Sequence, residues 1–196
     1  KKPRVIVITG SNSGIGKQIA LLYAKQRRNK LVLAARNEET LKEVTHQCRE
    51  LGSEAIYVVT DVEHKHSCRK LIETAIKTYD RIDLLILNAG VSMHSPFEQL
   101  SESDLHNYHK MMNINFFGYV YCTYYALPYL KQSKGQIGVL GSLSGELGLP
   151  LRSGYCASKF AVKGFFESLR AEIPSDVVHI TIVSPGSVRT SMREHA

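Results

Sequence analysis

Short apolar runs rich in β-branched residues recur along this chain, separated by longer stretches in which apolar side chains return every three or four positions. Residues 4–8 (Arg4-Val5-Ile6-Val7-Ile8) show no polar alternation, as expected of a strand covered on both faces. Similar runs at 31–35, 55–60, 82–87, 136–140 and 177–183 predict five further strands. After the first run, Ile15, Ile19, Leu22 and Tyr23 lie at helical spacing. Residues 39–51 read as a helix with Gly52 just past its end as a C-cap, and residues 64–79 as another. Ser101-x-x-Asp104 is a partial capping box, with Asp where the strict motif has Glu or Gln, and it opens a helical region reaching about Lys131. Residues 153–173 form the last predicted helix, closed by Pro174. Six strands alternating with helices imply parallel pairing through right-handed crossovers, hence a doubly wound α/β sheet with helices on both faces. No repeat, low-complexity tract or linker interrupts the pattern, so residues 1–196 are read as a single domain.

Composition trims the list of functions. At 43% apolar, the chain can bury a sizeable core. The net charge of +7 comes from scattered cations, the densest runs being Lys1-Lys2-Pro3-Arg4 and Lys25-Gln26-Arg27-Arg28. Neither has interleaved aromatics, so a solvated basic surface is favoured over a nucleic-acid binder. The four cysteines (Cys48, Cys68, Cys122, Cys156) form no C-x-x-C pair and are read as free thiols. His64 and His66, two apart, do not share a helix face, and no metal site is expected. No stretch of this sequence has the apolar length expected of a membrane helix, and none of it reads as a signal peptide. The chain opens at Lys1 almost directly on a strand, which leaves an upstream anchor or leader open.

Candidate chemistry begins after the first strand, at Thr9-Gly10-Ser11-Asn12-Ser13-Gly14-Ile15-Gly16. Small residues there let the backbone approach a pyrophosphate at a helix N-terminus. The spacing is G-x-x-x-G-x-G, not G-x-G-x-x-G, and a plain tight connection would also look like this. Its place after strand one points to a dinucleotide. At the end of strand two, Ala34-Ala35-Arg36-Asn37 has no acidic residue for a ribose 2′-hydroxyl, whereas Arg36 can pair with a 2′-phosphate. NADP(H) is therefore expected over NAD(H), with Lys17 a second cation or merely a solvated one. Asp61-Val62 ends strand three, where Asp61 suits either the adenine amino group or an N-cap. Asn88-Ala89-Gly90 ends strand four and suits either a backbone lying close to the cofactor or a plain turn.

Tyr155 and Lys159 stand four apart on one helix face. An ammonium about 4 Å from a phenol is worth roughly 4 kcal/mol at an effective dielectric near 20, close to three pKa units, enough to bring a tyrosine near the working range of an acid–base catalyst. Such a pair also occurs on ordinary surface helices. Ser142 stands at the carboxyl end of strand five, beside the crevice where ligands bind in such sheets.

The ordered set Thr9-Gly10-x-x-x-Gly14-x-Gly16, Asn88-Ala89-Gly90, Asn115, Ser142, Tyr155-x-x-x-Lys159 and Pro185-Gly186 resembles the classical short-chain dehydrogenase/reductase family along essentially the whole chain. The resemblance implies a Rossmann-type sheet in the order 3-2-1-4-5-6. It implies that Tyr155 exchanges the proton with the carbonyl oxygen, and that Lys159 holds the nicotinamide ribose and lowers the tyrosine pKa. Ser142 would bond the substrate oxygen, and Asn115 would kink the long helix and hold a water linked to Lys159. Pro185, Gly186, Val188 and Thr190 would meet the nicotinamide. Ala126-Leu127-Pro128-x-Leu130-Lys131-Gln132-Ser133 and Tyr155-x-Ala157-Ser158-Lys159-Phe160-Ala161 look like the 11β-hydroxysteroid dehydrogenase neighbourhood, whose members act on steroids and other lipophilic carbonyls, some behind an N-terminal membrane anchor. Gly141-Ser142 replaces the commoner Ser-Ser. The family usually continues past the Thr190 region with a loop over the substrate, a helix and a seventh strand, which would carry substrate recognition and one dimer surface.

The expectation is thus an NADP(H)-dependent oxidoreductase acting on a small lipophilic carbonyl or secondary alcohol. Another lipid or acyl-carbonyl reductase of the family is the alternative, and a non-catalytic dinucleotide sensor or scaffold the reading from a different class. A homodimer or tetramer through the long helices is expected, with Tyr119, Tyr124, Phe165 and Phe166 apolar enough to be contacts and equally suited to facing the sheet. No nucleic-acid partner is expected, and membrane association only through a segment outside this sequence. The compartment would be cytoplasmic, or endoplasmic-reticulum-associated behind an anchor.

Overall fold

Strand β1 (Val5–Thr9) is buried along its whole length, and its alternate side chains feed two separate cores. The computed structural model describes residues 3–26 and 28–188. In it β1 is flanked by β2 (Lys30–Ala35) and β3 (Glu54–Val59) on one side and by β4 (Leu84–Leu87), β5 (Gln136–Leu140) and β6 (His179–Val183) on the other. All pairings are parallel, in the order β3-β2-β1-β4-β5-β6. On one face Val7, Val32, Leu85, Leu87 and Val139 pack beneath α3 (Lys65–Tyr79), α5 (Gly118–Ser133) and α6 (Ser153–Glu172). On the other, Ile6, Ile8, Leu31, Leu33 and Ile86 meet Ala20 and Ala24 of α1 (Gly14–Ala24) and Leu41, Val44 and Cys48 of α2 (Glu38–Glu50). The period-two alternation of strand side chains over a sheet covered on both faces produces this division.

Gly52 adopts φ +93° after α2, as the C-cap reading requires. The long helical region is not one helix. Ser101 and Asp104 form a reciprocal capping box, so Asp substitutes for the usual Glu at this start. A 3₁₀ turn (Glu102–Leu105) then leads into α4 (His106–Met111), a π-helical stretch (Met112–Phe117) and α5. Asn115 lies in the π-helical stretch, so the irregularity expected there is a widened turn. Residues 177 and 178, expected in the last strand, instead form a turn on the Pro174 carbonyl, and β6 starts two residues later.

The expected dimer aromatics divide. Tyr119, Cys122, Ala126 and Leu130 make the inward stripe of α5, which puts Tyr119 in the core, and Phe166 is buried opposite it. These two are core residues, not surface contacts. Phe165 packs partly against the same core, and only Tyr124, on the far side of α5, is exposed (72%).

Candidate active site

The turn between β1 and α1 is held from inside. Gly10 takes φ +64°, and a Cβ on Gly16 would fall 2.2 Å from the Gly10 carbonyl oxygen and 2.4 Å from Asn88 Nδ2. Only glycine fits at either position. The Asn88 amide donates to the carbonyls of Thr9 (3.0 Å) and Gly10 (2.9 Å), tying the end of β4 to the turn. Ser11 points inward and is fully buried, with Oγ and N both donating to the Ala34 carbonyl. It braces the turn against β2 and does not line the cavity, a correction to its expected role as a cofactor contact. Asn12 reaches across to Thr40 Oγ1 at 3.0 Å. Ser13 begins α1 without a side-chain cap, and the first helical turn has no acidic residue. The positive end of the helix is therefore presented to a ligand, which suits a pyrophosphate.

A cavity of about 530 Å³ runs from this turn across the carboxyl ends of the strands. Gly10, Asn12, Ser13, Gly14 and Ile15 line one end. Arg36, Asn37, Asp61, Val62, Asn88, Ala89 and Gly90 follow, and Ser142, Tyr155, Lys159, Pro185, Gly186 and Val188 form the other end. Of the remaining candidates, Gly16 acts only through close packing, Asn115 is buried behind the wall, and Thr190 lies outside the described residues. Asp61 is not the N-cap of α3, a position held by His64. Its Oδ1 accepts from the Glu63 N–H at 3.1 Å, a local turn that leaves the residue facing the cavity. Arg36 is exposed and forms no ion pair among the described residues, while neighbouring Glu38 is held by Lys42 at 2.8 Å.

At the far end, Tyr155 and Lys159 project from the same face of α6. Lys159 is 4% exposed and donates to the Leu140 carbonyl at 2.8 Å. Burial lowers its pKa to about 8. Its ammonium lies 5.9 Å from the Tyr155 ring centre and 5.3 Å from that of Tyr119. Burial pushes the Tyr155 phenol above its ordinary value, while the Ser142 hydroxyl and the Arg152 guanidinium pull it back down. Ser142 and Arg152 thus offset part of the rise that burial causes, while the Lys159 ammonium is turned toward the Leu140 carbonyl. Ser142, in extended backbone, also accepts from the Ser144 N–H at 3.1 Å, which orients its hydroxyl.

Asn115 is a structural pin. Its amide bonds both the N–H and the carbonyl of Val91 (2.8 and 2.9 Å) and donates to Ser158 Oγ (2.9 Å), which in turn donates to the Tyr155 carbonyl. The loop after β4, the π turn and the Tyr155 helix are thereby locked together. Both side-chain N–H donors of Asn115 are thereby in use.

Arg152, Tyr119 and Ser158 escape a reading of the sequence by function. Tyr119 donates to the Leu140 carbonyl at 3.3 Å and lies beside Lys159. The available signal was spacing: Arg152 precedes Tyr155 by three and Tyr119 follows Asn115 by four, both one helical turn away.

Sheet order, glycine turn and cavity define a doubly wound domain of the Rossmann type, built to hold a dinucleotide along the carboxyl ends of its strands. The family model for short chain dehydrogenase matches residues 4–196, and the chain belongs to that family. The chain is 44% identical over 192 residues to 11-beta-hydroxysteroid dehydrogenase A of Sesamum indicum, covering 97% of this chain and 54% of that protein. It is 42% identical over 190 residues to 11-beta-hydroxysteroid dehydrogenase of Pinus massoniana, covering 96% and 52%. The chain thus spans about half the length of these relatives. Among solved structures, the alcohol dehydrogenase from the archaeon Thermococcus sibiricus complexed with 5-hydroxy-NADP superimposes with a TM-score of 0.90 at 28% identity, covering 97% of this chain and 79% of that one. A short chain dehydrogenase/reductase from Burkholderia phymatum in complex with NAD gives 0.91 at 28%, covering 98% and 69%.

Proposed function

We propose that this chain carries the coenzyme site and proton-transfer groups of an NADP(H)-dependent oxidoreductase acting on the carbonyl or secondary alcohol of a lipophilic substrate, with a steroid-like compound the leading candidate. The observation that carries this reading is the convergence of Ser142, Tyr155 and Lys159 on one end of a cavity whose other end is the glycine turn. The nicotinamide, when bound, supplies or accepts the hydride. Tyr155 donates its phenolic proton to the carbonyl oxygen during reduction and takes it back during oxidation. Ser142 donates a hydrogen bond to the same oxygen and stabilises its developing charge. Lys159 uses one of its three N–H donors on Leu140, leaving two for ribose hydroxyls.

Preference for NADP(H) is supported by Arg36 in the cavity wall with no acidic residue at the end of β2. A lipophilic substrate is supported by the exposed side chains of Leu143, Leu147 and Leu151 on the segment between Ser142 and Arg152 and of Val188 after β6, and by the hydroxysteroid dehydrogenase names of the plant relatives. Parallel fluorescence titrations with NADPH and NADH test the coenzyme. NADPH should bind more tightly, and Arg36→Ser should weaken NADPH by about tenfold or more while leaving NADH unchanged. Tighter binding of NADH would overturn the preference. A panel of steroid, acyl and simple ketones then identifies the substrate class. Self-association through α5 and α6 is part of the proposal, supported by the exposed rings of Phe117, Tyr124 and Phe160, and light scattering tests it. A cytoplasmic location is proposed with it, or an endoplasmic-reticulum-associated one behind an N-terminal anchor; the four free thiols fit a reducing environment around this domain in either case.

A further inference from the structure

Arg152 breaks two local rules at once. It occupies the N-cap of α6, where Ser, Thr, Asp or Asn would normally accept from the helix, and it makes no capping bond. It also sets a cation at the positive end of the helix dipole, with no acidic residue in the first turn to offset it. Just before it, Leu151 is held in the left-handed region at φ +65°, a conformation leucine rarely takes, and its carbonyl is tied to the Ser95 N–H at 2.9 Å. This backbone delivers the guanidinium into the cavity wall, 6.0 Å from the centre of the Tyr155 ring. Among the described residues no carboxylate pairs with it.

We propose that Arg152 is a positioning residue for proton transfer at Tyr155: its guanidinium, seated over the phenol ring, is a permanent positive charge that favours the phenolate. This rests on the role proposed above for Tyr155. The other groups around the phenol cannot supply a permanent charge. From α6, the Cys156 side chain carries no positive charge. Lys159, also on α6, has its pKa lowered by burial to about 8, so its charge is not permanent across the alkaline range. From α5, Tyr119 is buried, and burial holds it neutral. Ser142, after β5, offers a neutral hydroxyl. From α4, Tyr108 bonds Ser153 Oγ at 2.7 Å. Two turns along α6, Lys163 is paired with Glu146. A guanidinium stays charged at every working pH, so it remains when Lys159 has lost its proton.

The test is a titration of Tyr155 itself, which needs no turnover. Protein carrying tyrosine labelled with ¹³C at Cζ is followed by NMR from pH 7 to 12, and Tyr155→Phe identifies the signal. Arg152→Gln should raise the Tyr155 midpoint by about one pH unit, and Arg152→Lys should recover most of it. Arg152→Met is the second neutral variant, used if Gln disturbs the fold as judged by the other tyrosine signals. An unchanged midpoint in the neutral variants overturns the proposal, as does a shift that Lys fails to reverse. In carbonyl reduction, the alkaline limb of kcat/KM should move upward with the NMR midpoint. If no variant turns over any carbonyl, the acid–base role of Tyr155 falls, while the titration still decides whether Arg152 acts on the phenol.

Discussion

The two ends of the cavity are built on opposite terms. At the glycine end each departure from ordinary backbone is matched by a residue that accommodates it: glycine at the positive φ of position 10, no side chain at position 16, and the Asn88 amide on two carbonyls. At the Tyr155 end the fold tolerates features that cost stability. These are a buried lysine, a left-handed leucine, and an arginine at a helix N-terminus. Backbone shape suffices to receive a pyrophosphate, whereas proton transfer needs charges held where water and the helix dipole would not leave them.

Four changes probe this contrast, in decreasing order of effect. Tyr155→Phe should lower kcat about a thousandfold and leave the NADPH titration within twofold, because it removes one hydroxyl from the costly end only. A coenzyme affinity that fell with turnover would show that the two ends are not separable. Next, Lys159→Met should change how stability depends on pH. The folded pKa of about 8 lies below the unfolded value of 10.5, so between them the unfolded chain holds a proton that the folded chain lacks. Stability in the wild type should therefore rise with pH across this window, by about 3 kcal/mol relative to the Met variant. Urea midpoints of both proteins at pH 7 and pH 10.5 measure it, and parallel curves would mean that the lysine is not held at a cost. Gly16→Ala should destabilise by about 2 kcal/mol and weaken NADPH, since its Cβ has no room beside Gly10 and Asn88. Thermal unfolding with and without NADPH checks both effects. Smallest, Leu147→Ser should shift stability by less than about 0.5 kcal/mol, because the side chain is already exposed, while raising KM for a lipophilic ketone. An unaltered KM would remove Leu147 from the substrate face.

The contrast also explains what could be read from the sequence. Strand runs and the glycine turn were legible because period and spacing dictate them, whereas the sheet order and the grouping of Tyr155, Lys159 and Ser142 came from the family resemblance, since a Tyr/Lys pair four apart or a serine after a strand is ambiguous by itself. Ser11 looked like a ligand contact from its place in the turn, but a serine beside β2 is better satisfied by the Ala34 carbonyl. Tyr119 suited either a dimer contact or the sheet because α5 is apolar on more than one side, and only packing shows which stripe faces the sheet. Arg152 had only its spacing to Tyr155 as a signal, since the placement of its side chain follows a left-handed Leu151 that no pattern of residue types announces.

Asn88 has a last consequence, for the timing of coenzyme capture. Its single amide closes the turn by bonding two successive carbonyls, and Ser11 anchors the turn from the other side. The loop is therefore ordered before any ligand arrives, and no segment of it has to freeze on contact. Association at this end should be one step, its observed rate rising linearly with coenzyme concentration and without the plateau that a slow loop rearrangement would impose.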